Sequence, residues 1–423
     1  VRLAELRGRR VALLGLGADV LAAVPAIVAA GPLEVVAVDD ARSGSALPPG
    51  VQGLVSLADA ASGAEVFVRS PGFPRYQPEL AAACRAGAAM TTPLDLWLGT
   101  HGADRTVIGI TGTKGKSTVA SLLGALAVGE GLRVGVAGNL GVPVFDPGWD
   151  GGAPLIVLEV SSYQAADLHH VPDVAVVTFL SEDHLSWHGG VEQYVADKLR
   201  LVRNEGGTAG RVLVPAAGGG AAEAVAALGV EADVVGAPTG APGAVPLHRL
   251  ANAALAAAAL AAAGGPVLDD AVVIDAARGS LPGRLDVCPG PVGVLCIDDA
   301  LASNPSATAA GLAWLRSLGH PTVVILGGGD RGVDPAPLVE EAGRWNPGRL
   351  RVVAVPENGV ALAEACSLPV VAEAVDVDDA VRRVRPLLGA GDALLFSPAG
   401  PTPPGLGNWA TRSDAFRAAL LRP

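Results

Sequence analysis

The sequence predicts an α/β chain of three domains, each a mainly parallel sheet flanked by helices. Three observations carry this expectation. Short apolar runs alternate with helical stretches along the whole length; two of them pass through glycine turns directly into helices; and several end in carboxylates or hydroxyls, as strands do where a parallel sheet opens onto a ligand. The 423 residues divide on this reading into 1–104, 105–283 and 284–423, each of ordinary domain size.

The first segment begins with Val11-Ala-Leu-Leu-Gly-Leu-Gly, an apolar helix to about Ala30, then Leu33-Glu-Val-Val-Ala-Val-Asp-Asp. This is a Rossmann-like βαβ unit, in which a glycine turn faces a pyrophosphate and a strand-end carboxylate meets ribose hydroxyls. Gly15, Gly17, Asp39 and Asp40 are its candidate ligand residues. The fingerprint is incomplete, because Val20 stands where a third glycine belongs. Ser70-Pro71-Gly72 follows another apolar strand, Glu65 to Val68. That turn is equally compatible with facing the same ligand and with a plain surface turn.

The second segment holds the most informative stretch, Ile108-Gly-Ile-Thr-Gly-Thr-Lys-Gly-Lys-Ser-Thr118. It is a glycine-rich turn between an apolar strand (106–110) and a helix beginning near Ser117. Backbone N–H groups there approach phosphate oxygens, Lys116 reaches the outer phosphates and Ser117 can hold a magnesium ion. The usual P-loop has four residues between its first glycine and the Gly-Lys pair; Ile110 stands at that glycine position, so this is a shorter variant. ATP or a relative is the expected ligand.

Two further strands, 155–160 and 174–179, end in polar groups. Ligand sites of parallel sheets lie at such ends, so Glu159, Ser161, Ser162, Glu182, Asp183 and His184 are expected near the phosphate loop. Glu159 and His184 together suggest a second magnesium, which prefers oxygen and would need one more anionic oxygen. Lys198, taken alone, reads as part of a solvated helix face. An alanine-rich helix, 250–263, follows. It is shorter than the ~18–20 residues needed to cross a bilayer and reads as buried.

The third segment shows strands at 293–297, 322–326, 350–355 and 393–396, separated by helical stretches, and a third parallel sheet is the economical reading. The stretches 216–220 and 238–246 read as low-complexity surface loops. A formal charge of −12 without a long basic run argues against nucleic acid as a partner. The four cysteines have no metal-ligand spacing and fit reduced thiols in a cytoplasmic protein. The first residues do not look like a signal peptide, and no membrane partner is expected.

Taken together, these motifs resemble the Mur ligases of peptidoglycan synthesis, most closely the glutamate-adding branch. The resemblance rests on Gly112-Thr-Lys-Gly-Lys-Ser-Thr118, Ala137-Gly-Asn139, Glu159-Val-Ser-Ser-Tyr-Gln164, Ser181-Glu-Asp-His184, Tyr194-x-x-x-Lys198, and His248 with Asn252. It continues through Leu281-Pro-Gly-Arg-Leu285, Asp298-Asp-Ala-Leu-Ala-Ser-Asn304, Gly327-Gly-Gly-Asp-Arg-Gly332 and Ser397-Pro-Ala399, all in family order.

The resemblance implies a UDP-binding first domain, a central ATPase and a C-terminal amino-acid domain, acting as a monomer on UDP-N-acetylmuramoyl-L-alanine and glutamate with ATP and Mg2+. It implies a catalytic set of Lys116, His184 and Lys198, with Lys198 carbamylated. Ser117 would touch one magnesium, and Glu159, His184 and the carbamate the other. A carbamate turns a cation into the anionic oxygen ligand that the second magnesium lacks. ATP would lie on Gly112, Thr113, Lys114, Gly115, Lys116, Ser117, Thr118, Asn252, Arg284 and Asp299. The UDP substrate would meet Gly15, Gly17, Asp39, Asp40, Ser70, Pro71, Gly72, Asn139, Ser161 and Gln164; the amino acid would meet Ser303, Arg331, Thr402 and Trp409.

Departures from the family pattern cluster on the amino-acid side. Leu301 and Arg331 stand in place of lysines, Gly400-Pro-Thr-Pro-Pro replaces Cys-Ala-Ser, and Trp409 replaces phenylalanine. Arg249 replaces the asparagine after His248, and Asp19 a threonine on the UDP side. Lys114, an asparagine in the D-glutamate enzymes, resembles the variant that adds L-glutamate, so L-glutamate is favoured and D-glutamate is the near alternative. A folylpolyglutamate synthetase shares the ATPase core but has no UDP-binding domain. A pseudo-ligase that only senses precursors would have lost Lys116, Glu159, His184 or Lys198, and all four are present.

Overall fold

The computed structural model describes residues 1–40, 46–217, 219–238, 245–279, 282–330 and 332–422. Two compact units result, Val1–Thr239 with Arg249–Ala277 and Gly240–His248 with Arg278–Pro423. The first unit contains two of the three large sheets and the second unit one.

In the first sheet the strands lie in the order Gly53–Leu54, Glu34–Val38, Arg10–Leu14, Val66–Arg69 and Ala89–Thr91, all parallel. Val11, Ala12, Leu13 and Leu14 are completely buried, as expected of a central parallel strand covered on both faces. The helix Ala18–Ala29 follows directly on Gly17. Strands Arg10–Leu14, Glu34–Val38 and Val66–Arg69 therefore bring residues 15–17, 39–40 and 70–72 to one edge.

The second sheet has the order Asp233–Val235, Arg211–Pro215, Val174–Val177, Thr106–Thr111, Leu155–Glu159 and Val134–Gly138, again all parallel. Its central strand leads into the phosphate loop. Ile110 is in register with Glu159 on one side and Thr111 with Val177 on the other. This register puts Glu159 and the chain approaching His184 beside the loop, as the strand-end argument expects. The alanine-rich helix runs Leu247–Ala262, and Ala253 to Ala257, Ala259 and Leu260 are buried.

The sheet of the second unit runs Asp286–Cys288, Leu295–Asp298, Ala393–Phe396, Thr322–Leu326, Leu350–Ala354 and Val370–Glu373. It differs from the sequence expectation at one edge. Asp286–Cys288 pairs antiparallel with Leu295–Asp298, because a connection this short can only fold back as a hairpin, whereas a parallel return needs a crossover. The edge strands Gly53–Leu54, Ala89–Thr91, Asp233–Val235 and Val370–Glu373 also escaped the sequence reading, being too short to show a period. Of the two loops expected at 216–220 and 238–246, Gly218 and residues 239–244 lie outside the described residues.

Within the first unit a buried ionic cluster joins its two sheets. Arg69, fully buried at the end of its strand, donates through Nε to Asp167 Oδ2 at 2.6 Å, and Arg75 donates to Asp167 Oδ1 at 2.5 Å. Arg69 Nη1 also donates to the carbonyls of Ser70, Pro71 and Phe73, at 3.0, 2.7 and 3.1 Å, and Nη2 to that of Tyr163. One guanidinium thus fixes the 70–73 turn and ties it to the Glu159-Val-Ser-Ser-Tyr-Gln segment. Removing one partner of a buried pair leaves an uncompensated charge. Asp167→Ala should therefore lower unfolding stability by about 3–5 kcal/mol in urea titrations; a loss below 1 kcal/mol would show that the cluster is not a structural tie.

Candidate active site

The phosphate loop is built on two close backbone approaches. Gly112 has φ +141°, and a Cβ there would lie 2.0 Å from Thr178 Oγ1, so only glycine fits. Thr178 Oγ1 donates to the carbonyl of Lys114 at 2.6 Å, and the amide of Thr113 donates to the Phe179 carbonyl at 2.7 Å. Thr113 Oγ1 donates to the Ser181 carbonyl at 2.8 Å and lies 2.8 Å from the Tyr194 hydroxyl. Gly115 precedes the helix Lys116–Gly129, whose first turn carries Lys116, Ser117 and Thr118. The N-terminus of this helix, with its partial positive charge, favours anions. Asn252 overhangs the loop: a Cβ on Gly115 would lie 2.8 Å from its Oδ1.

Two amines converge on this loop. Lys116 Nζ donates to the carbonyls of Gly112 and Thr113, at 3.0 and 3.2 Å, and Lys198 Nζ donates to the same Gly112 carbonyl at 2.8 Å. Lys198 is 2 % exposed, which corrects the reading of it as part of a solvated helix face. It lies in the helix Val191–Leu199, 4.6 Å from the Tyr194 ring centroid. Burial holds its ammonium well below the usual lysine range, and the charge of Lys116 pushes it further down against the opposing pull of Asp183. Both effects favour the uncharged, nucleophilic form of the amine.

Glu159 is 1 % exposed. Its Oε1 accepts from Asn139 Nδ2 at 2.8 Å, while its buried Oε2 has no hydrogen-bond partner. Leaving a buried acceptor in that state costs about 1–3 kcal/mol, which a divalent cation would offset. His184, one-third exposed, takes a left-handed conformation (φ 54°) at the start of the helix Leu185–His188 and lies 5.0 Å from the Tyr163 ring. Among the described residues no three His, Cys, Asp or Glu side chains gather as a metal site. The carboxylate of Glu159 is the kind of hard oxygen donor that magnesium takes. Lys114 pairs with Asp183 at 3.7 Å, so this lysine offsets charge in the Ser181-Glu-Asp-His motif.

At the edge of the first sheet, a Cβ on Gly17 would lie 2.5 Å from Ser70 Oγ, and one on Gly15 3.2 Å from Ser70 Cβ. The structure brings the two turns together. Asp39 Oδ2 accepts from the Leu16 amide at 2.8 Å and so braces the glycine turn, while Asp40 is exposed. Gln164 is buried; its Oε1 accepts from the Ser161 amide, and its Nε2 donates to Asp19 Oδ2 at 3.0 Å. Burial raises the Asp19 carboxyl, partly opposed by that hydrogen bond.

In the second unit, Asp299 is buried after the strand Leu295–Asp298. Ser397 Oγ donates to its Oδ2 at 2.8 Å and the Leu285 amide to its Oδ1 at 3.2 Å. Burial pushes its carboxyl up to about 7, although those two hydrogen bonds and the charge of Arg284 oppose the rise. The Gly327-Gly-Gly turn lies against the 397–402 segment, with Gly329 N donating to the Pro401 carbonyl at 2.8 Å. Arg412 Nη2 donates to the Gly327 carbonyl at 2.5 Å. Two of the departures meet here: a Cβ on Gly283 would lie 2.8 Å from the Trp409 ring and 3.5 Å from Leu301 Cγ. Ser303 and Thr402 are half-buried. Arg331 lies outside the described residues.

Sequence reasoning gave no role to Arg69, Tyr76, Asp167, His188 or Asp197. An arginine ending an apolar strand just before Ser-Pro-Gly was a usable signal for the first. The others become visible only when distant segments meet.

Comparison with known proteins gives a consistent likeness. Residues 110–217 match the family description "Mur ligase middle domain" and residues 283–400 "Mur ligase, glutamate ligase domain". The chain is 38% identical to the UDP-N-acetylmuramoyl-L-alanine–L-glutamate ligase of a Micromonospora species, over 99% of this chain and 98% of that protein. It is 30% identical to the UDP-N-acetylmuramoylalanine–D-glutamate ligase of Methylobacillus flagellatus, over 98% and 97%. Its fold matches that of the MurF ligase of Thermotoga maritima in complex with ADP, with a TM-score of 0.60 and 16% identity, covering 99% of this chain and 96% of that one.

Two outcomes are expected from the site geometry. Gly112→Ala should abolish detectable nucleotide binding in a fluorescent-ADP titration, since both the backbone angle and the Thr178 contact forbid the methyl group; unchanged affinity would refute the cradle. For Asp299, a raised carboxyl means that the folded chain binds more protons than the unfolded one between about pH 4 and 7. Its contribution is favourable below that window and is lost as pH rises through it. Asp299→Asn should accordingly flatten the decline in urea stability from pH 5 to 8, and an unaltered decline would remove Asp299 as its source.

Proposed function

The chain belongs to the Mur ligase family, and we propose that it joins glutamate, as the L-isomer, to UDP-N-acetylmuramoyl-L-alanine in an ATP-driven amide ligation of peptidoglycan precursor synthesis. The observation that carries this reading is the convergence of Lys116 and Lys198 on the Gly112 carbonyl with a partnerless carboxylate oxygen on Glu159. The relative named for L-glutamate, at 38% identity over nearly the full length, supports the substrate pair. The domain ranges 1–104, 105–283 and 284–423 belong to the same proposal as the UDP-substrate, ATPase and amino-acid parts. Four unpaired thiols fit a reducing compartment, and on that basis we place the reaction in the cytoplasm. Among the described residues no helix is long and apolar enough to cross a membrane.

A free carboxylate is a poor electrophile in water, so amide formation requires activation. The alanine carboxylate attacks the γ-phosphorus of ATP, ADP leaves, and the resulting acyl phosphate is attacked by the neutral amino group of glutamate. Phosphate departs as the tetrahedral intermediate collapses, and the amine loses a proton. Lys116 and the helix N-terminus behind it stabilise charge on the transferring phosphoryl group. Thr113 and Thr178 hold the loop still during this step. Glu159, His184 and Lys198 would hold magnesium, which when bound offsets the charge of the phosphate oxygens. Addition of the uncharged Lys198 amine to CO2, with release of one proton, would give a carbamate that supplies the remaining anionic oxygen.

The stereochemical assignment rests on the relative named for L-glutamate and on Lys114 in the phosphate loop. Phosphate release with UDP-N-acetylmuramoyl-L-alanine and ATP should depend on L-glutamate; turnover with D-glutamate alone would reverse the isomer, and turnover with neither would end the glutamate assignment. Lys198→Ala should lower kcat at least ~100-fold, the scale of losing one electrostatic group in such a site, with partial recovery in millimolar formate or acetate. Full activity in that variant would refute the carbamate.

A further inference from the structure

Behind the three residues assigned to the metal runs a chain of side chains, buried at Ser162, His188 and Asp197 and exposed at Tyr76, that the reaction does not itself use. Asp197 Oδ2 accepts from His188 Nδ1 at 2.6 Å and from the Tyr76 hydroxyl, and Asp197 Oδ1 accepts from Gln193 Nε2 at 2.8 Å. The other ring nitrogen of His188, Nε2, lies 3.0 Å from Ser162 Oγ. His188 is stacked on Tyr163 at 5.6 Å with the planes 10° apart. Ser162, His188 and Asp197 are at most 3 % exposed.

The positions of these residues are the informative part. Ser162 follows Glu159 by three residues, His188 follows His184 by four, and Asp197 immediately precedes Lys198. Successive residues on a helix point about 100° apart, so a fixed Asp197 sets the rotation of the helix Val191–Leu199 and hence the direction of the Lys198 side chain. The same hydrogen bonds tie the start of the short helix Ser162–Ala165 to the end of the helix Leu185–His188. The fourth member, Tyr76, comes from the segment after the 70–72 turn that Arg69 and Arg75 anchor to Asp167.

We propose that Asp197, with His188, is a positioning residue that holds Glu159, His184 and Lys198 in the arrangement needed to bind a divalent cation, and that Tyr76 makes this arrangement depend on the segment next to the substrate-side turn. This rests on the metal assignment under Proposed function. Partners of this kind orient the ligating groups, and their loss lowers metal affinity about 10–100-fold.

The test uses the full chain and its Asp197→Asn and Tyr76→Phe variants, with Mn2+ in the presence of ADP as the probe and free Mn2+ read by electron paramagnetic resonance. Asp197→Asn, which keeps the shape but weakens the acceptor, should bind Mn2+ about 10–100-fold more weakly than wild type. Tyr76→Phe, which loses one hydroxyl at the end of the chain, should show a smaller loss of the same sign at a near-wild-type melting temperature. In steady state both should raise the Mg2+ concentration for half-maximal rate and leave the KM for glutamate unchanged. Wild-type Mn2+ affinity in both variants, or a lowered melting temperature with unchanged Mn2+ titrations, would overturn the proposal and leave a structural role only. In parallel, 13C-bicarbonate should give a carbamate resonance in wild type. Its absence there would remove Lys198 from the ligand set, while the Mn2+ comparison would still read what Asp197 and His188 do to Glu159 and His184.

Discussion

The carbonyl oxygen of Gly112 accepts hydrogen bonds from Lys116 and Lys198, and much of the candidate site depends on that shared acceptor. Two ammonium groups this close in a low-dielectric setting repel, so the more deeply buried one is driven towards its neutral form. Burial is the larger cause of the depressed Lys198 amine, and this repulsion adds to it. The sharing is possible only because residue 112 has no side chain: its backbone angle and the Thr178 hydroxyl leave no room for a Cβ. A glycine that looks like one of several in a flexible turn is thus the fixed point on which an electrostatic pairing is built.

The buried Arg69 plays the corresponding part for the first sheet. Three carbonyls of the 70–73 turn and the Tyr163 carbonyl all accept from it, so the substrate-side turn and the segment following Glu159 have a common anchor. A single planar fork with five donors can satisfy this many acceptors where lysine could not. A shift of the turn would disturb the same guanidinium that holds the Tyr163 carbonyl, in the helix Ser162–Ala165 that follows Glu159.

On the amino-acid side, the departures from the family pattern are not scattered. Leu301 and Trp409 both approach Gly283, so a cationic side chain and a phenylalanine have been exchanged for an apolar pair in contact with one glycine. An aromatic ring over a glycine and a leucine makes a rigid apolar wall, a change of the kind that rebuilds a substrate pocket while the catalytic groups elsewhere stay the same.

The phosphate loop, the parallel sheets and the edge at which their ligands gather were legible from local pattern alone. A glycine turn between an apolar strand and a helix has one economical use, and residues ending neighbouring parallel strands share an edge. Glu159 and His184 could be placed beside the loop in this way before any contact was seen. Lys198 could not: a lysine in Tyr-Val-Ala-Asp-Lys reads as solvated, because sequence period fixes the face of a helix and not what covers it. The antiparallel edge strand and the chain from Tyr76 through Asp197 and His188 to Ser162 were hidden for the same reason. Their members lie up to 121 residues apart, and which distant polar groups become partners is decided when the segments pack and exclude water, since only then does an unmatched donor or acceptor become costly. The sequence by itself determined the fold class, the glycine turn between strand and helix and the kinds of residue around it; tertiary structure alone decided which of them are buried and which share a hydrogen-bond acceptor, because burial and partner choice are set only when distant segments pack.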